Sequence, residues 1–301
     1  MPGIKQSEPH CCPSPASSAS SAVRVSCLGL VFLGVGAAHA AWVSEERPFL
    51  AVPYVPTPQV TVDEMLRVAN VGPQDFVLDL GSGDGRIVVT AAKKFGARGL
   101  GVDLDWRLVE QSEANARQAG VEDRAKFLEQ DLFKADLGQA TVITLYLFPA
   151  IMLKLRPQLL GLRPGTRIVS HDFDLGDWKP DQKTTVRKSV FLWVVPAKVA
   201  GRWHARLTVP PIERLLDLEL TQRYQEVSAH ARLNGVPSQV WEIKLVGERL
   251  SFIVVDTTDR ENEASLYFEG KVSSDAIEGE LTRGVGAART LTPWRAVRVS
   301  R

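Results

Sequence analysis

Phe76-Val-Leu-Asp-Leu-Gly-Ser-Gly-Asp-Gly-Arg86 decides the fold of this chain. Its first five residues are an apolar run rich in branched side chains and read as a buried strand, ending in glycines at 81, 83 and 85. A helical pattern follows at once, with Ile87, Val88, Ala91, Ala92 and Phe95 on one side. Strand, glycine loop and helix let the backbone turn tightly and bring a ligand against its amides. The next strand, Gly99-Leu-Gly-Val-Asp103, ends in a carboxylate. A carboxylate there accepts hydrogen bonds from both hydroxyls of a ribose, so the unit predicts a nucleoside site.

The loop narrows the choice of nucleoside. Dinucleotide-binding folds use Gly-x-Gly-x-x-Gly, with a pyrophosphate on the loop and the helix N-terminus. Here the order is Asp79-x-Gly81-Ser82-Gly83-Asp84-Gly85, with carboxylates before and among the glycines. Two carboxylates repel a pyrophosphate but suit a ligand carrying an ammonium and a sulfonium. The arrangement resembles motif I of the class I S-adenosylmethionine (SAM) methyltransferases. That resemblance makes SAM the expected cofactor and Asp79, Gly81, Ser82, Gly83, Gly85 and Asp103 its expected contacts.

Around this core the pattern alternates α and β. Helices are predicted over 60–71, 86–95, 107–119 and 150–160, and strands over 76–80, 99–103, 125–129, 141–148, 167–170, 184–187 and 189–195. Five β-α pairs closed by two strands predict a doubly wound, Rossmann-like, seven-stranded sheet. Ligands of such sheets bind at the carboxyl ends of the strands, and Asp79, Asp103, Asp131, Tyr146 and Asp172 fall at or near such ends. From Val199 the pattern changes to short strand-like pieces split by Gly, Asn and Asp turns. These predict a small antiparallel β-domain, with 222–233 open to either helix or strand.

Four blocks together extend the resemblance. Val52-Pro-Tyr-Val-Pro-Thr57, Asp79–Arg86, Thr144-Leu-Tyr-Leu-Phe-Pro149 and Val169-Ser-His-Asp-Phe173 resemble the signature blocks of one protein-lysine N-methyltransferase family. That family has archaeal members and mitochondrial members acting on the adenine nucleotide translocase and the ATP synthase c-ring protein. The resemblance covers about residues 52–196. It implies that Tyr54 and Thr57 close over the methionine end of SAM, that Asp103 holds the ribose and that Asp131 meets the adenine amino group. It also implies that Tyr146 faces the methyl acceptor, as the catalytic residue. A lysine acceptor must lose its proton, and a desolvated channel lined by Tyr146, Phe148, Phe173 and Trp178 would favour that. His171-Asp172 has the residue types of an acid/base pair, but neighbours on a strand point to opposite faces, so no catalytic role is assigned. Arg86, Lys93, Lys94 and Arg98 read as a solvated helix face.

Composition bounds the rest. The chain has 301 residues, 45% hydrophobic and 24% charged, enough for two domains. Its net charge of +1 lacks the basic excess of a nucleic-acid partner, so a protein or small-molecule acceptor is expected. All three cysteines precede residue 40, which excludes disulfides and thiolate metal sites from the body of the chain, and no metal is expected. Residues 1–22 are rich in Ser, Pro and Ala and read as disordered. Arg24, the apolar run 25–38 and Ala38-His-Ala40 then make the pattern of a secretory signal cleaved after Ala40. The expected organisation is 1–40 leader, 41–59 proline-rich linker, 60–198 methyltransferase domain and 199–301 β-rich domain. The leader implies export to a periplasm, or membrane association through 25–38; a start downstream of it implies a cytoplasmic protein. Export sits badly with a SAM site, because SAM is a cytosolic metabolite. The alternatives to a protein-lysine methyltransferase are a small-molecule methyltransferase and a non-catalytic exported protein that kept the fold.

Overall fold

The computed structural model describes residues 54–209, 212–257, 264–284 and 289–300. The predicted leader, most of the linker and the three cysteines lie outside these residues. The first half of the described chain builds β1 (Phe76–Leu80), β2 (Arg98–Asp103), β3 (Ala125–Glu129), β4 (Val142–Leu145), β5 (Arg167–His171), β6 (Gln182–Val186) and β7 (Lys188–Val194). Four helices accompany them: α1 (Gln59–Val68), α2 (Arg86–Phe95), α3 (Trp106–Ala119) and α4 (Pro149–Leu160). The seven strands form one sheet in the order β3-β2-β1-β4-β5-β7-β6, parallel from β3 to β5 and antiparallel at β7 and β6. The chain reverses direction across the sheet between β1 and β4, and at such a switch point the carboxyl ends of the strands open a crevice.

Two of the expected β-α pairs lack an α-helix. A single 3₁₀ turn, Leu132–Lys134, follows β3, and a turn held by a Leu175–Trp178 bridge follows β5. Both segments are short and broken: Asp131 and Asp136 punctuate the first, Gly176 and Pro180 the second. α1 packs on one face of the sheet with Val62, Met65, Leu66, Val77, Val142 and Val169, and α4 on the other with Leu78, Leu145, Met152, Leu155 and Trp193. The central strands are buried on both faces, which is why they read as unbroken apolar runs.

A second, antiparallel sheet of nine strands follows: β8 (Gly201–Val209), β9 (Ile212–Arg223), β10 (Glu226–Leu233), β11 (Val236–Ser238), β12 (Val240–Val246), β13 (Arg249–Asp256), β14 (Ala264–Val272), β15 (Ala276–Arg283) and β16 (Thr290–Ser300). Their order is β11-β10-β9-β8-β16-β15-β14-β13-β12, and β10 also approaches β12, so the sheet curls toward a barrel. Alternate residues such as Leu216, Leu218 and Leu220 point into its core, where Phe252 and Phe268 stack at 4.8 Å and Trp294 stands edge-on to Phe268 at 5.0 Å. The region 222–233, open from sequence, is strand: the end of β9 and all of β10. The length of β9 was not legible, because the adjacent Leu215 and Leu216 blur its two-residue period.

The two sheets have separate apolar cores and meet at a polar and aromatic seam. Trp178 is fully buried there; its Nε1–H donates to Gln225 Oε1 at 3.0 Å and its ring stacks on Tyr224 at 5.9 Å. Trp178 therefore does not line the aromatic channel expected from sequence. Arg156 and Arg223 both bind Asp177, and Lys179 pairs with Glu226 at 2.6 Å. Among the described residues no helix is long and apolar enough to cross a membrane.

Candidate active site

A cavity of about 480 Å³ opens at the carboxyl ends of β1, β2 and β4, a size typical of small-molecule sites. Tyr54, Thr57, Asp79, Gly81, Ser82, Gly83, Asp103, Asp131 and Tyr146 all line it. Residues as distant in sequence as Tyr54 and Tyr146 are thus brought to one hollow by the strand order. Gly85, also expected, does not line it. It holds φ +76 at the start of α2, and a Cβ there would lie 2.6 Å from the Phe127 ring, so its part is to let the loop pass close to the sheet.

Asp79 is the chemical centre of the loop. It pairs in register with Thr144 on β4, whose hydroxyl donates to Asp79 Oδ1 at 2.6 Å. Asp79 is 2% exposed, and its Oδ2 has no protein partner. Burial pushes its carboxyl up to about 7; the Thr144 hydrogen bond pulls the other way, and the charges of Asp103 and Asp84 add to the rise. A buried carboxylate oxygen with nothing to accept from fits a ligand ammonium. Ser82 Oγ, also buried, is a second polar atom at the cavity with no protein partner.

The loop is braced on three sides. Asp103 Oδ2 accepts from the Gly83 amide at 2.9 Å, while its Oδ1 accepts from the Asp105 amide at 3.0 Å. From α3, Ser112 Oγ donates to Gly83 O and Asn115 Nδ2 to Asp84 O, both at 2.8 Å. Tyr54 covers the third side: a Cβ on Gly83, at φ +56, would lie 2.3 Å from its ring. Burial, and then the neighbouring Asp84 carboxylate, push the Tyr54 hydroxyl up. Asp131 Oδ1 accepts from the Phe133 amide at 3.0 Å, so this carboxylate caps the 3₁₀ turn while it lines the cavity.

Arg86 was read from sequence as part of a solvated face, and the structure corrects this. Its guanidinium forks onto Asp84, with Nε–Oδ1 at 2.9 Å and Nη2–Oδ2 at 2.6 Å, and its Nη1 donates to the Thr57 carbonyl at 2.9 Å. It ties the 54–58 strap to the glycine loop and lines the cavity. Lys93 and Lys94 sit on the outward side of α2 as expected.

At the other end of the cavity Tyr146 begins an aromatic wall. Its ring lies 4.1 Å from that of His171 and 6.2 Å from Phe173, and Phe148 stands 6.2 Å from Phe173. His171 is buried, with Nδ1 3.2 Å from Thr57 Oγ1. Burial holds its imidazole below the usual range, with Asp172 opposing and Lys188 assisting that shift. The alternation argument was right about direction: Asp172 turns away and pairs with Lys188 at 3.0 Å. It did not show that the inward side, where His171 points, is the side of the site.

Two expectations follow for SAM. Asp103→Ala should weaken binding by roughly 10- to 150-fold, the loss of charge-assisted hydrogen bonds worth about 1.5–3 kcal/mol. Calorimetry decides this, and equal affinities would remove Asp103 from the ribose. Binding should also expel a proton, because the ammonium selects the ionised form of Asp79. At pH 7 the release is about half a proton and grows as pH falls. Calorimetry in buffers of different ionisation heat reads it directly; no buffer dependence would mean that Asp79 is already ionised without ligand.

Comparison with known proteins agrees with this geometry. A family model described as the ANTKMT methyltransferase domain matches residues 79–182. The chain is 40% identical over 151 residues to a protein-lysine N-methyltransferase of Saccharolobus islandicus, a match covering 48% of this chain and 94% of that protein. It is 32% identical over 184 residues to the Rattus norvegicus lysine N-methyltransferase of the ATP synthase c-ring protein, covering 58% of this chain and 83% of the relative. A solved structure described as an RNA methyltransferase from Salinibacter ruber, in complex with S-adenosyl-L-homocysteine, shares 50% identity. That likeness covers 48% of this chain and 96% of the other, with a TM-score of 0.47.

Proposed function

The chain belongs to the family of SAM-dependent methyltransferases that includes these protein-lysine N-methyltransferases, and from that premise we propose that its methyl acceptor is the ε-amine of a protein lysine. The observation that carries the reading is the match across nearly the whole length of a lysine methyltransferase. The aromatic wall of Tyr146, Phe148 and Phe173 beside the cavity supports it.

When bound, SAM supplies an activated methyl group on a sulfonium. The protein's part is placement. Asp79 Oδ2 and Ser82 Oγ offer partners to the methionine end, Asp103 to the ribose and Asp131 to the adenine edge. Arg86 and Tyr54 hold the strap and loop together around them. Tyr146 faces the acceptor and helps strip water from it. An amine with a reference pKa of ~10.4 loses its proton more readily in such a desolvated, aromatic surround.

The test is to incubate the full chain with methyl-labelled SAM and extract of its host, then separate protein, RNA and small molecules. Label is expected in protein, recovered as methyl-lysine after hydrolysis. Label confined to RNA or to small molecules would overturn the acceptor assignment while leaving the enzyme a methyltransferase. The export reading joins the same proposal. Protein isolated from the host should begin at Ala41, and N-terminal sequencing that finds residues 1–40 intact would count against it.

A further inference from the structure

We propose that His171 is a positioning residue that fastens the 54–58 strap and the Tyr146 ring to one post, so that closure over SAM and the placing of the acceptor wall are set together. The inference rests on the reading that the strap closes over the methionine end of SAM.

His171 ends β5, with the adjacent β4 and β7 on either side of it. It is 2% exposed and does not line the cavity, so it acts through what it touches. On one edge its Nδ1 lies 3.2 Å from Thr57 Oγ1, a contact between residues 114 apart in sequence. On its face lies the Tyr146 ring at 4.1 Å, tilted by 35°. Thr57 and Tyr146 both line the cavity, and no other residue in the described chain is bonded to one and stacked on the other. Thr57 is itself fixed twice. Its hydroxyl meets His171, and its carbonyl accepts from Arg86, which is forked onto Asp84 in the glycine loop. The strap is thus bolted at one end to the SAM loop and at the other to the acceptor wall.

The burial of His171 makes the role specific to an imidazole. Its Nε2 has no protein partner, an arrangement that costs stability and that an apolar residue would avoid. A histidine kept at this cost is explained by the two contacts it makes at once: a polar edge for Thr57 and a flat face for Tyr146. Phenylalanine preserves only the face, and asparagine only the edge.

That separation gives a crossed test in the full-length protein. His171→Phe should weaken SAM binding about 3- to 10-fold by calorimetry, while leaving the rate of label transfer to the protein fraction of host extract, at saturating SAM, within about twofold. His171→Asn should do the reverse, recovering most of the SAM affinity and lowering the transfer rate at least fivefold. Thr57→Val should match His171→Phe in SAM affinity, and the double variant should bind no more weakly than the weaker single one. A merely structural histidine would give parallel losses in both readouts for both substitutions. Parallel losses, unchanged SAM affinity in His171→Phe, or multiplied effects in the double variant would each overturn the proposal. Should the His171 variants fail to fold, nitrogen NMR of wild type decides. The His171 Nδ1 signal must move in Thr57→Val and on saturation with SAM, and an unmoved signal overturns the coupling. Failure of wild type to bind SAM would instead sink the cofactor reading itself.

Discussion

Replacing Asp79 by asparagine should weaken SAM binding about 10- to 150-fold and, in the same protein, make the ligand-free state harder to unfold at pH 8. Both effects come from one buried carboxylate. Its Oδ1 is satisfied by Thr144, but Oδ2 is sealed in the cavity wall with no partner, and Asp103 and Asp84 stand near. Because the folded-state value is raised to about 7, from 3.8, the folded protein binds the proton more tightly than the unfolded chain. The stability this gives is complete below about pH 4 and is lost as pH rises through about 7. Asparagine is isosteric, can still accept from Thr144 and never ionises, so its advantage in melting temperature should be clear at pH 8 and gone at pH 5. His171 works in the opposite sense: its lowered value gives stability present above pH 6.5 and lost as pH falls. It is unchanged in Asp79→Asn and cancels in the comparison. Wild-type SAM affinity in the variant would mean that the ammonium is held elsewhere.

The second large effect concerns the β-rich part. A fragment ending at Lys198 should bind SAM within a few-fold of the full chain but lose label transfer to protein acceptors altogether. Every residue that lines the cavity lies between 54 and 151, and the apolar cluster behind it is drawn from the first sheet apart from the flanking Tyr224. The cut is nevertheless not free. It removes Tyr224 and Gln225 from fully buried Trp178, exposing one face of the indole. Uncovering roughly 100 Å² of that ring costs about 2 kcal/mol, seen as a lower melting temperature and red-shifted tryptophan emission. It also frees Asp177 and Lys179 of their partners on Arg223 and Glu226. A fragment that unfolds or loses SAM would show that the two sheets depend on one another; one that methylates its acceptor normally would show that the second sheet takes no part in substrate choice.

Much of the cofactor site was legible in the sequence. The strand, the glycine loop, α2 and the acidic end of β2 are contiguous, and each carries its own periodicity, so local rules place Asp79, the loop and Asp103 without knowledge of the rest. Tyr146 and Asp131 were found because a doubly wound sheet collects its ligand contacts at strand ends. The resemblance of four blocks to one family supplied Tyr54 and Thr57, which no local pattern marks. What failed was the reading of residues whose partners are far away. Arg86 follows the loop and looks like the first of four cations on a helix face; only the fold-back of the strap to residue 57 gives its guanidinium a carbonyl to bind. Ser112 and Asn115 are ordinary polar helix positions until α3 is laid against the loop.

The same division holds for the molecule as a whole. The sequence alone determined that the first half is a doubly wound α/β sheet with a SAM loop at its switch point, and that the rest is antiparallel β. Hydrophobic period and turn residues are properties of neighbours along the chain, and they suffice for element type and order. Only the tertiary structure decided that Trp178 belongs to the seam between the sheets and not to the acceptor wall, that Gly85 serves packing and not the ligand, and that His171 stands behind both Thr57 and Tyr146. The reason is physical. Whether a buried aromatic or polar side chain meets a ligand, a core or another sheet depends on which distant surface closes over it, and residues 114 positions apart leave no mark on each other's local pattern.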